Sequence, residues 1–560
     1  MIRRLSAAFA ALALAGCAAQ VAAPPAQIAR APIEVQFLAI NDFHGNIETP
    51  PGTVSVTQPD GTVVKARLGG AAQLASALDH ARQGHPNSIT VAAGDLIGAS
   101  PLASAYFLDE PTIDAMDLLG LSLASVGNHE FDKGSTELLR MQKGGCKKYT
   151  SRVPCRLEPF AGARFQYLSA NVLRPDESTL FPATAIRQLG PIKIGFIGET
   201  LQGTGSIVSP AGVAGLHFAD EAATANALVP KLKAAGADTI VLLIHQGGGV
   251  PDSFEEQGCN GLTGDILPIL DKLDPAITTV VSGHTHQAYA CTLQRGGAAR
   301  LLTSAGRYGI LYTDLRLSFD AVTHRLIGER ALNVPVTGGA GSDPHVAALV
   351  DRYVVASKPA AERVVGHLAG AAMKTEENGE SPVADLIADA QLAATKAPDR
   401  GGARISFINS GGVRTDLVPH ADGSVTYGQI FAVEPFGNTL VVRTLTGAQL
   451  KSLLEHQFDG QGLRPSVLVP SANFHFAYDL SKPLGEHIVA MSLDGKPIDP
   501  SGRYRVVVNN FLASGGDGYS VLSEGTDTFD AGLDLDALEA WVATNPPVPA
   551  VGRIRDVTPR

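Results

Sequence analysis

The stretch I-T-V-A-A-G-D-L-I-G-A-S-P (89–101) is a short apolar run that ends in glycine, aspartate and a loop. The apolar part predicts a buried strand, so Asp95 stands where that strand ends. Four further stretches place metal-binding residue types directly after an apolar run: N-D-F-H-G-N (41–46), G-N-H-E-F-D (127–132), I-H-Q-G-G (244–248) and G-H-T-H-Q (283–287). Together they predict one site built from the ends of several strands.

The residue types in these stretches are those of a two-metal site. Two metal ions about 3.5–4 Å apart can hold a phosphate and activate water, and they share a carboxylate. Asp42 and His44 are two residues apart and can converge on one ion at a strand end, while Asp95 is the natural bridge. Neutral donors complete the set: Asn128, His245, His284 and His286. This mixture suits zinc, manganese or iron better than calcium.

Length and charge narrow the class of protein. A chain of 560 residues predicts at least two domains, and 45% hydrophobic with 18% charged residues is ordinary for a globular protein. The formal net charge of -11 gives no electrostatic footprint for a nucleic-acid polymer. Small phosphorylated ligands remain possible, because bound metals can outweigh the overall charge.

The N-terminus reads as an export signal. Arg3 and Arg4 precede an apolar run that is too short to span a bilayer, and Leu-Ala-Gly-Cys follows at 14–17. This pattern predicts a lipoprotein signal peptide over 1–17, a lipidated Cys17 and an Ala/Pro-rich tether over 18–32. The expected location is the periplasm of a bacterial envelope, anchored by lipid to the outer membrane. The alternative is an ordinary secretory signal in which Cys17 is incidental.

Four cysteines follow Cys17, and an even number in an exported protein predicts disulfides. Three connectivities are possible. The pairing between sequence neighbours is favoured, Cys146 with Cys155 and Cys259 with Cys291. A structural zinc site is the alternative, but spacings of nine and thirty-two without a C-x-x-C motif argue against it.

Strand and helix patterns alternate over 33–335, as in Glu34–Ile40, Gly70–Gln83 and Thr239–Ile244, which predicts a layered α/β domain. Residues 336–363 are expected to be a loop and a connector helix that begins at Asp343. Residues 364–560 form a second, α+β unit. Its Gly-rich loops are N-S-G-G-V-R (409–414), V-E-P-F-G-N (433–438) and N-F-L-A-S-G-G-D-G-Y (510–519).

In order and spacing, the five stretches resemble the calcineurin-like metallophosphoesterases. With the Gly-rich loops, the chain resembles the 5′-nucleotidase family over about 33–535, and in particular its bacterial periplasmic UDP-sugar hydrolase/5′-nucleotidases. The resemblance implies a four-layer α/β domain, with two β-sheets flanked by helices, followed by a domain for substrate specificity.

The resemblance also implies roles for individual residues. One metal would be held by Asp42, His44, Asp95 and His286, and the other by Asp95, Asn128, His245 and His284. Some bacterial members carry Gln at the position of His286. His129 and Asp132 would form the catalytic pair, with His129 stabilising charge or protonating the leaving group.

In the second domain the resemblance implies that Phe436 and Phe511 stack on a nucleobase and that Asp517 binds the ribose hydroxyls. Asn409 and Arg414 would contact base or phosphate. The stretch M-K-T-E-E-N-G-E-S-P (373–382) departs from the family, because Lys374 is its one basic residue where members often carry arginine. A simple preference for nucleoside monophosphates does not follow from this pattern.

The leading hypothesis is therefore a two-metal 5′-nucleotidase that releases phosphate from nucleotides. Within the family, a 2′,3′-cyclic nucleotide phosphodiesterase and a UDP-sugar hydrolase are alternatives. A non-catalytic nucleotide-binding lipoprotein is an alternative of another class, against which the complete metal set and His129 argue.

Overall fold

The computed structural model describes residues 31–57, 61–150, 152–251, 258–374, 379–458 and 467–559. The expected signal peptide, Cys17 and nearly all of the tether lie outside the described residues. Within the described part of the chain, no helix combines the length and the apolar composition needed to cross a membrane.

The first unit contains two six-stranded sheets. The strands of the first sheet lie in the order Leu326–Pro335, Leu311–Phe319, Ile33–Ile40, Ser88–Ala93, Leu121–Ser125 and Gln166–Leu168. The last four strands are parallel to one another. Leu311–Phe319 is antiparallel to both of its neighbours, Leu326–Pro335 and Ile33–Ile40. Parallel strands covered on both faces need near-continuous apolar runs, and all but the first residue of Ser88–Ala93 is buried.

The second sheet has the strand order Ala288–Arg295, Ala298–Ala305, Ile277–Ser282, Thr239–His245, Ile192–Thr200 and Thr184–Leu189. Its four central strands are parallel, and the strand at each edge is antiparallel. Every residue of Thr239–His245 is buried, as its apolar sequence predicts.

The two sheets pack face to face. Phe37 of the first sheet meets Phe196 of the second with ring centroids 5.8 Å apart, inside a core shared by both sheets. Helices cover the outer faces: Ala71–Arg82 and Glu110–Leu118 on the first sheet, Glu221–Ala234 and Ile266–Lys272 on the second. The predicted four-layer α/β architecture is confirmed. Other helices of this unit are Leu102–Ala105, Ser135–Lys143 and Thr204–Ile207.

The connector helix spans Pro344–Ala361, and its N-terminus is capped by Asp343, which accepts hydrogen bonds from the backbone N–H groups of His345 and Val346. The helix packs on Ala71–Arg82 and Glu110–Leu118 of the first unit. Its apolar face lies in the core beneath the first sheet: Val346, Leu349, Val350 and Tyr353.

The second unit is α+β, as predicted. A five-stranded sheet has the order Leu468–Pro470, Ile405–Asn409, Arg503–Asn509, Thr439–Thr446 and Thr526–Leu533. A four-stranded sheet has the order Lys496–Pro497, Ile488–Leu493, Phe474–Tyr478 and Ile554–Asp556. The main helices are Pro382–Thr395, Tyr427–Val433, Gly447–His456, Asn510–Ala513 and Asp534–Val542.

Both predicted disulfides are present. Cys146 is bonded to Cys155 and Cys259 to Cys291, with Cα–Cα distances of 5.5 and 5.8 Å. The pairing between sequence neighbours is confirmed, and with it the four cysteines are excluded as zinc ligands.

Candidate active site

The predicted metal ligands come together where the two sheets meet. Each one lies at or just after the carboxyl end of a parallel strand, and the face-to-face packing brings these ends to one place. The residues are Asp42 and His44 after Ile33–Ile40, Asp95 after Ser88–Ala93, Asn128 after Leu121–Ser125, His245 at the end of Thr239–His245, and His284 and His286 after Ile277–Ser282. Ligand sites of layered α/β proteins form at such strand ends.

Most of these ligands have strained backbones. Five of the seven have positive φ angles: Asp42 (49°), His44 (47°), Asp95 (50°), His284 (73°) and His286 (59°). This conformation costs roughly 1–3 kcal/mol for a residue with a side chain and persists where the surroundings enforce it. Hydrogen bonds do so here: the His44 N–H donates to the Asp95 carbonyl at 2.9 Å, and the His284 N–H donates to the Asp42 carboxylate at 3.0 Å.

Close backbone approach explains one glycine of these motifs. A Cβ added to Gly127 would lie 2.2 Å from Asp95 Oδ1, so a side chain there would displace the carboxylate.

One group of ligand atoms surrounds His44. Its Nε2 lies 3.0 Å from His286 Nε2, 3.7 Å from Asp95 Oδ2 and 3.9 Å from Asp42 Oδ1, and His286 Nε2 lies 3.5 Å from Asp42 Oδ1. Ligands bound tetrahedrally at 2.0–2.1 Å are about 3.3 Å apart. The group therefore has the dimensions of a metal site.

A second group surrounds His245. Its Nε2 lies 2.9 Å from Asp95 Oδ2 and 3.1 Å from Asn128 Oδ1, and His284 Nδ1 lies 3.1 Å from the same Asn128 oxygen. Asp95 Oδ2 is common to both groups, as a bridging carboxylate requires.

Hydrogen bonds and burial prepare the imidazoles for metal binding. His44 Nδ1 lies 2.9 Å from the Gly98 carbonyl and His245 Nδ1 lies 2.8 Å from the Ala93 carbonyl. When Nδ1–H donates to a carbonyl, Nε2 presents its lone pair to a cation. Burial holds the pKa values of His44 and His286 well below the usual range and that of His284 at about 3, so these rings are neutral and can offer a lone pair to a cation.

The centre attracts positive charge. Burial opposes ionisation of Asp95, but the imidazoles of His245 and His129 hold the pKa of this carboxyl well below its usual value. In turn, and against the effect of burial, Asp95 raises the pKa of His245 to about 10. A proton or a metal cation between these two side chains is therefore favoured, and the donor set fits divalent metal ions.

His129 lies beside this centre and contacts Asp132. Its Nδ1 is 2.9 Å from Asp132 Oδ2, and its backbone N–H donates to Asp95 Oδ1 at 2.8 Å. Burial opposes protonation, but Asp132 and then Asp95 raise the pKa of His129. Asp132 is fixed in turn by the Ala99 N–H at 3.2 Å. A ring nitrogen of His129 also lies within 4.8 Å of ligand atoms of His44 and Asp95.

The second unit lies over the candidate metal-ligand centre, with a cavity between the two units. A cavity of about 320 Å³ is lined from the first unit by Asn128, His129, Asp132 and His284, and from the second by all five predicted substrate residues: Asn409, Arg414, Phe436, Phe511 and Asp517. The Phe436 ring stacks on the His129 ring, and the Arg414 guanidinium lies 5.7 Å from the Phe436 centroid.

Asp517 and Phe511 are held by their neighbours. Asn409 Nδ2 donates to Asp517 Oδ2 at 2.7 Å, and burial raises the pKa of Asp517. A Cβ added to Gly516 would lie 2.4 Å from the Phe511 ring, so this glycine lets the ring lie against the loop.

Comparison with known families agrees with this architecture. The calcineurin-like phosphoesterase model matches residues 35–288, and the model of the 5′-nucleotidase C-terminal domain matches residues 360–524. The chain belongs to the 5′-nucleotidase family.

The similarity between this 5′-nucleotidase family member and its relatives extends over most of the chain. The 5′-nucleotidase of Bos taurus is 24% identical over 556 residues, which are 91% of this chain and 88% of that protein. The endonuclease YhcR of Bacillus subtilis is 28% identical over 86% of this chain, but the match spans only 37% of that protein's length. The crystal structure of a 5′-nucleotidase precursor from Thermus thermophilus superposes with a TM-score of 0.75 at 26% identity, covering 94% of this chain and 100% of that one.

Glu130 is a site residue that the sequence analysis left unassigned in G-N-H-E-F-D. It is 2% exposed and accepts backbone hydrogen bonds from Asp95 (2.9 Å), Leu96 (2.8 Å) and Gly127 (2.7 Å). It thereby ties together the two loops of this 5′-nucleotidase family member that carry Asp95 and Asn128. The sequence feature that could have pointed to Glu130 is its position inside the motif G-N-H-E-F-D (127–132).

Tyr308 was also not anticipated. Its ring lies 5.9 Å from the His44 ring and 5.7 Å from the His286 ring, measured between centroids, and its backbone N–H donates to the Asp42 carbonyl at 2.7 Å. The sequence signal is modest: G-R-Y-G (306–309) follows the end of strand Ala298–Ala305.

Proposed function

We propose that this chain is a two-metal phosphohydrolase that releases phosphate from nucleotides. One observation carries the proposal: the cavity that begins at the metal-ligand centre also contains Phe436 and Phe511, the pair suited to a nucleobase. A phosphate held at the metals and a base held at the rings define a nucleotide. The 5′-nucleotidases of Bos taurus and Thermus thermophilus among its relatives support the same substrate class.

Two divalent cations, such as zinc or manganese, are the proposed cofactors. Asp95 would bridge them, with Asp42, His44 and His286 on one and Asn128, His245 and His284 on the other. When bound, such a pair polarises the phosphoryl oxygens and lowers the pKa of water. The support is the spacing of the ligand atoms, 2.9–3.9 Å, together with the neutral state of three of the imidazoles.

His129 is the proposed acid. Asp132 binds its Nδ1–H and keeps the ring oriented, which leaves Nε2 to stabilise charge on the phosphate or to donate a proton to the leaving oxygen. Burial opposes protonation of His129, but Asp132 and Asp95 raise its pKa, which favours the protonated ring.

The second domain would recognise the nucleoside. Phe436 and Phe511 stack on the base, which contributes roughly 1–3 kcal/mol per base and tolerates different bases. Asp517 accepts hydrogen bonds from the ribose hydroxyls, while Asn409 orients that carboxylate. Arg414 lies beside Phe436 and lines the same cavity as His129 and His284, where it can contact the phosphate.

We also propose the division into 33–335, a connector 336–363, and 364–560, which the two family matches support. An envelope location with a lipid anchor at Cys17 is proposed from the N-terminal pattern. The two disulfides support an oxidising compartment, and a cell wall protein of Listeria monocytogenes is 28% identical over 91% of this chain.

The test is phosphate release from AMP by the purified protein with added zinc or manganese, with chelator, and after metal is restored. We expect activity that chelator abolishes and metal restores. Absence of phosphate release at every metal tested, with nucleotide still bound, would instead support a binding protein. A parallel panel of ADP, ATP, UDP-glucose and 2′,3′-cyclic AMP separates the enzyme alternatives.

A further inference from the structure

One segment of the first unit is strongly basic, although the formal net charge of the chain is -11. It is K-G-G-C-K-K-Y-T-S-R-V-P-C-R-L (143–157), with five cations and no acidic residue. We call it the basic loop. The disulfide between Cys146 and Cys155 brings its ends to a Cα–Cα distance of 5.5 Å, at a sequence separation of 9. A closed loop of this length reaches at most about 15 Å from its ends, so the charges lie close together.

The basic loop is fixed to its surroundings and lies outside the cavity of the proposed nucleotide site. The Cys155 N–H donates to the Glu110 carboxylate at 3.0 Å, and Arg152 Nη1 donates to the Ala105 carbonyl at 2.7 Å. The Arg152 guanidinium also lies over the Phe431 ring of the second unit, 5.2 Å from its centroid. These contacts and the disulfide restrain the loop, so its exposed side chains form a preformed surface.

The other four cations of the basic loop are exposed: Lys143, Lys147, Lys148 and Arg156. None of them forms an ion pair with a described acidic residue. The acidic side chains nearby have cationic partners of their own, Glu110 with Arg140 and Glu158 with Arg352. Exposed cations that the fold leaves unpaired, grouped on a chain of net negative charge, favour an anionic partner.

Apolar side chains of the basic loop are also exposed. The exposed fraction is 43% for Tyr149, 57% for Val153 and 42% for Leu157. Lys147 Nζ lies 5.2 Å from the centroid of the Tyr149 ring, so a cation and an aromatic ring are neighbours on this surface. A soluble polyanion would contact the charges alone. A lipid surface contacts both kinds of side chain, because headgroups bind the cations and the boundary with the acyl chains accepts the apolar groups.

We propose that the basic loop is a docking surface for an anionic lipid bilayer. The four exposed cations would lie among the headgroups, and Tyr149, Val153 and Leu157 would enter the boundary between headgroups and acyl chains. This binding is peripheral, and it depends neither on the proposed phosphohydrolase activity nor on a lipid at Cys17. It would fix the orientation of the first unit relative to the membrane, which a flexible tether cannot do.

The experiment measures co-sedimentation of the protein with vesicles of phosphatidylglycerol and phosphatidylcholine, with pure phosphatidylcholine as the neutral reference. The chain from residue 18 onward is used, so that neither the proposed signal peptide nor a lipid at Cys17 contributes. In Lys147→Gln/Lys148→Gln we expect the apparent Kd to rise about 25-fold, which is about fivefold per charge.

The matched control is Lys231→Gln/Lys233→Gln. It removes the same charge from the exposed last turn of helix Glu221–Ala234, which covers the second sheet, and should leave the apparent Kd unchanged. Equal losses in the two double variants would show that overall charge and not the basic loop controls binding. Binding of the wild-type chain that is absent, or equal on neutral and anionic vesicles, would also overturn the proposal.

A second variant separates the lipid surface from a soluble polyanion. Tyr149→Ser/Val153→Ser/Leu157→Ser keeps every charge, and its apparent Kd for the anionic vesicles should rise about tenfold or more, because apolar contact is lost. Its affinity for inorganic polyphosphate should not change. The control is Val322→Ser, which alters a valine that is 73% exposed in the turn after strand Leu311–Phe319. Equal melting temperatures confirm that the variants are folded.

Two outcomes of these measurements would assign the basic loop to another partner. Vesicle binding that is unaltered in the serine variant would show that the loop binds polyanions through charge alone. A dimer that forms without vesicles in sedimentation velocity, and that Lys147→Gln/Lys148→Gln loses, would assign the loop to a second copy of the chain. Either result would overturn the membrane proposal.

Discussion

The ring of Phe436 stacks on the imidazole of His129, with centroids 5.8 Å apart and planes inclined by 18°. The two residues come from different units: Phe436 lies in a loop after helix Tyr427–Val433, and His129 begins the 3-10 turn His129–Phe131 that follows strand Leu121–Ser125. The proposed base site and the proposed acid are therefore in contact. Because the two rings are stacked, a change in the position of the second domain would change the surroundings of His129.

Replacing Phe436 or Phe511 by alanine should raise KM for AMP while sparing para-nitrophenyl phosphate. Losing one stacked ring forfeits roughly 1–3 kcal/mol, or about 5- to 150-fold in affinity, and a substrate without a nucleobase never gains that contact. The measurement is the ratio of the two specificity constants. Phe529→Ala, in the same domain but outside the cavity, is the control. If the specificity constants for both substrates fall together, the two rings stabilise the fold and do not bind the base.

Asp95→Asn should abolish turnover and lower the metal content of the protein. One Asp95 oxygen serves both ligand groups, so its charge would compensate two cations, which a neutral amide cannot do. Elemental analysis after gel filtration gives the metal stoichiometry. A variant that retains two equivalents would show that another group bridges the ions.

His129→Ala should keep its metals and lose about 10²–10⁴ in kcat, the range for a positioned acid or base. Metal content and kcat are measured on the same preparation, with the exposed His345→Ala as control. Because a ring nitrogen of His129 is also within reach of His44 and Asp95, this variant decides between two roles. Metal lost in parallel with activity would identify His129 as a ligand.

Glu130→Gln should raise the metal concentration needed for half-maximal activity by about tenfold or more. An amide NH2 in place of one carboxylate oxygen leaves backbone N–H groups of the Asp95 and Asn128 loops without an acceptor, at roughly 1–3 kcal/mol each.

The control for this variant is Glu221→Gln, a buried glutamate that accepts a hydrogen bond from the backbone N–H of Gln202, in the turn after strand Ile192–Thr200 of the second sheet. This control variant should lower the melting temperature without changing the metal concentration needed for half-maximal activity. If E130Q shows the same pattern as E221Q, Glu130 serves stability alone.

The layered α/β fold and the convergence of the candidate metal ligands could be predicted from sequence because their signals are local, whereas the four-layer arrangement was implied by the family resemblance. Each ligand follows an apolar run, and the run itself predicts where the strand ends. The pairing of cysteines could be favoured by proximity alone, and the structure agrees.

Tyr308 shows what local signals omit. It reaches His44 because strand Leu311–Phe319 runs antiparallel to Ile33–Ile40, with Thr313 opposite Ala39, which places the start of one strand beside the end of the other. That pairing joins residues 274 positions apart in the chain. No spacing rule predicts it. Glu130 was missed for a different reason: its partners are backbone N–H groups, which every sequence contains.

The connector helix Pro344–Ala361 bears on how the chain can be divided for experiment. Its buried side chains, Val346, Leu349, Val350 and Tyr353, lie in the core beneath the first sheet. Each large apolar side chain buried there contributes roughly 1.5–3 kcal/mol. A fragment ending at residue 335 would leave that surface open to water and prone to self-association. The first domain should be produced on its own only as a fragment that continues through Ala361, so the shortest independent folding unit is longer than the catalytic one.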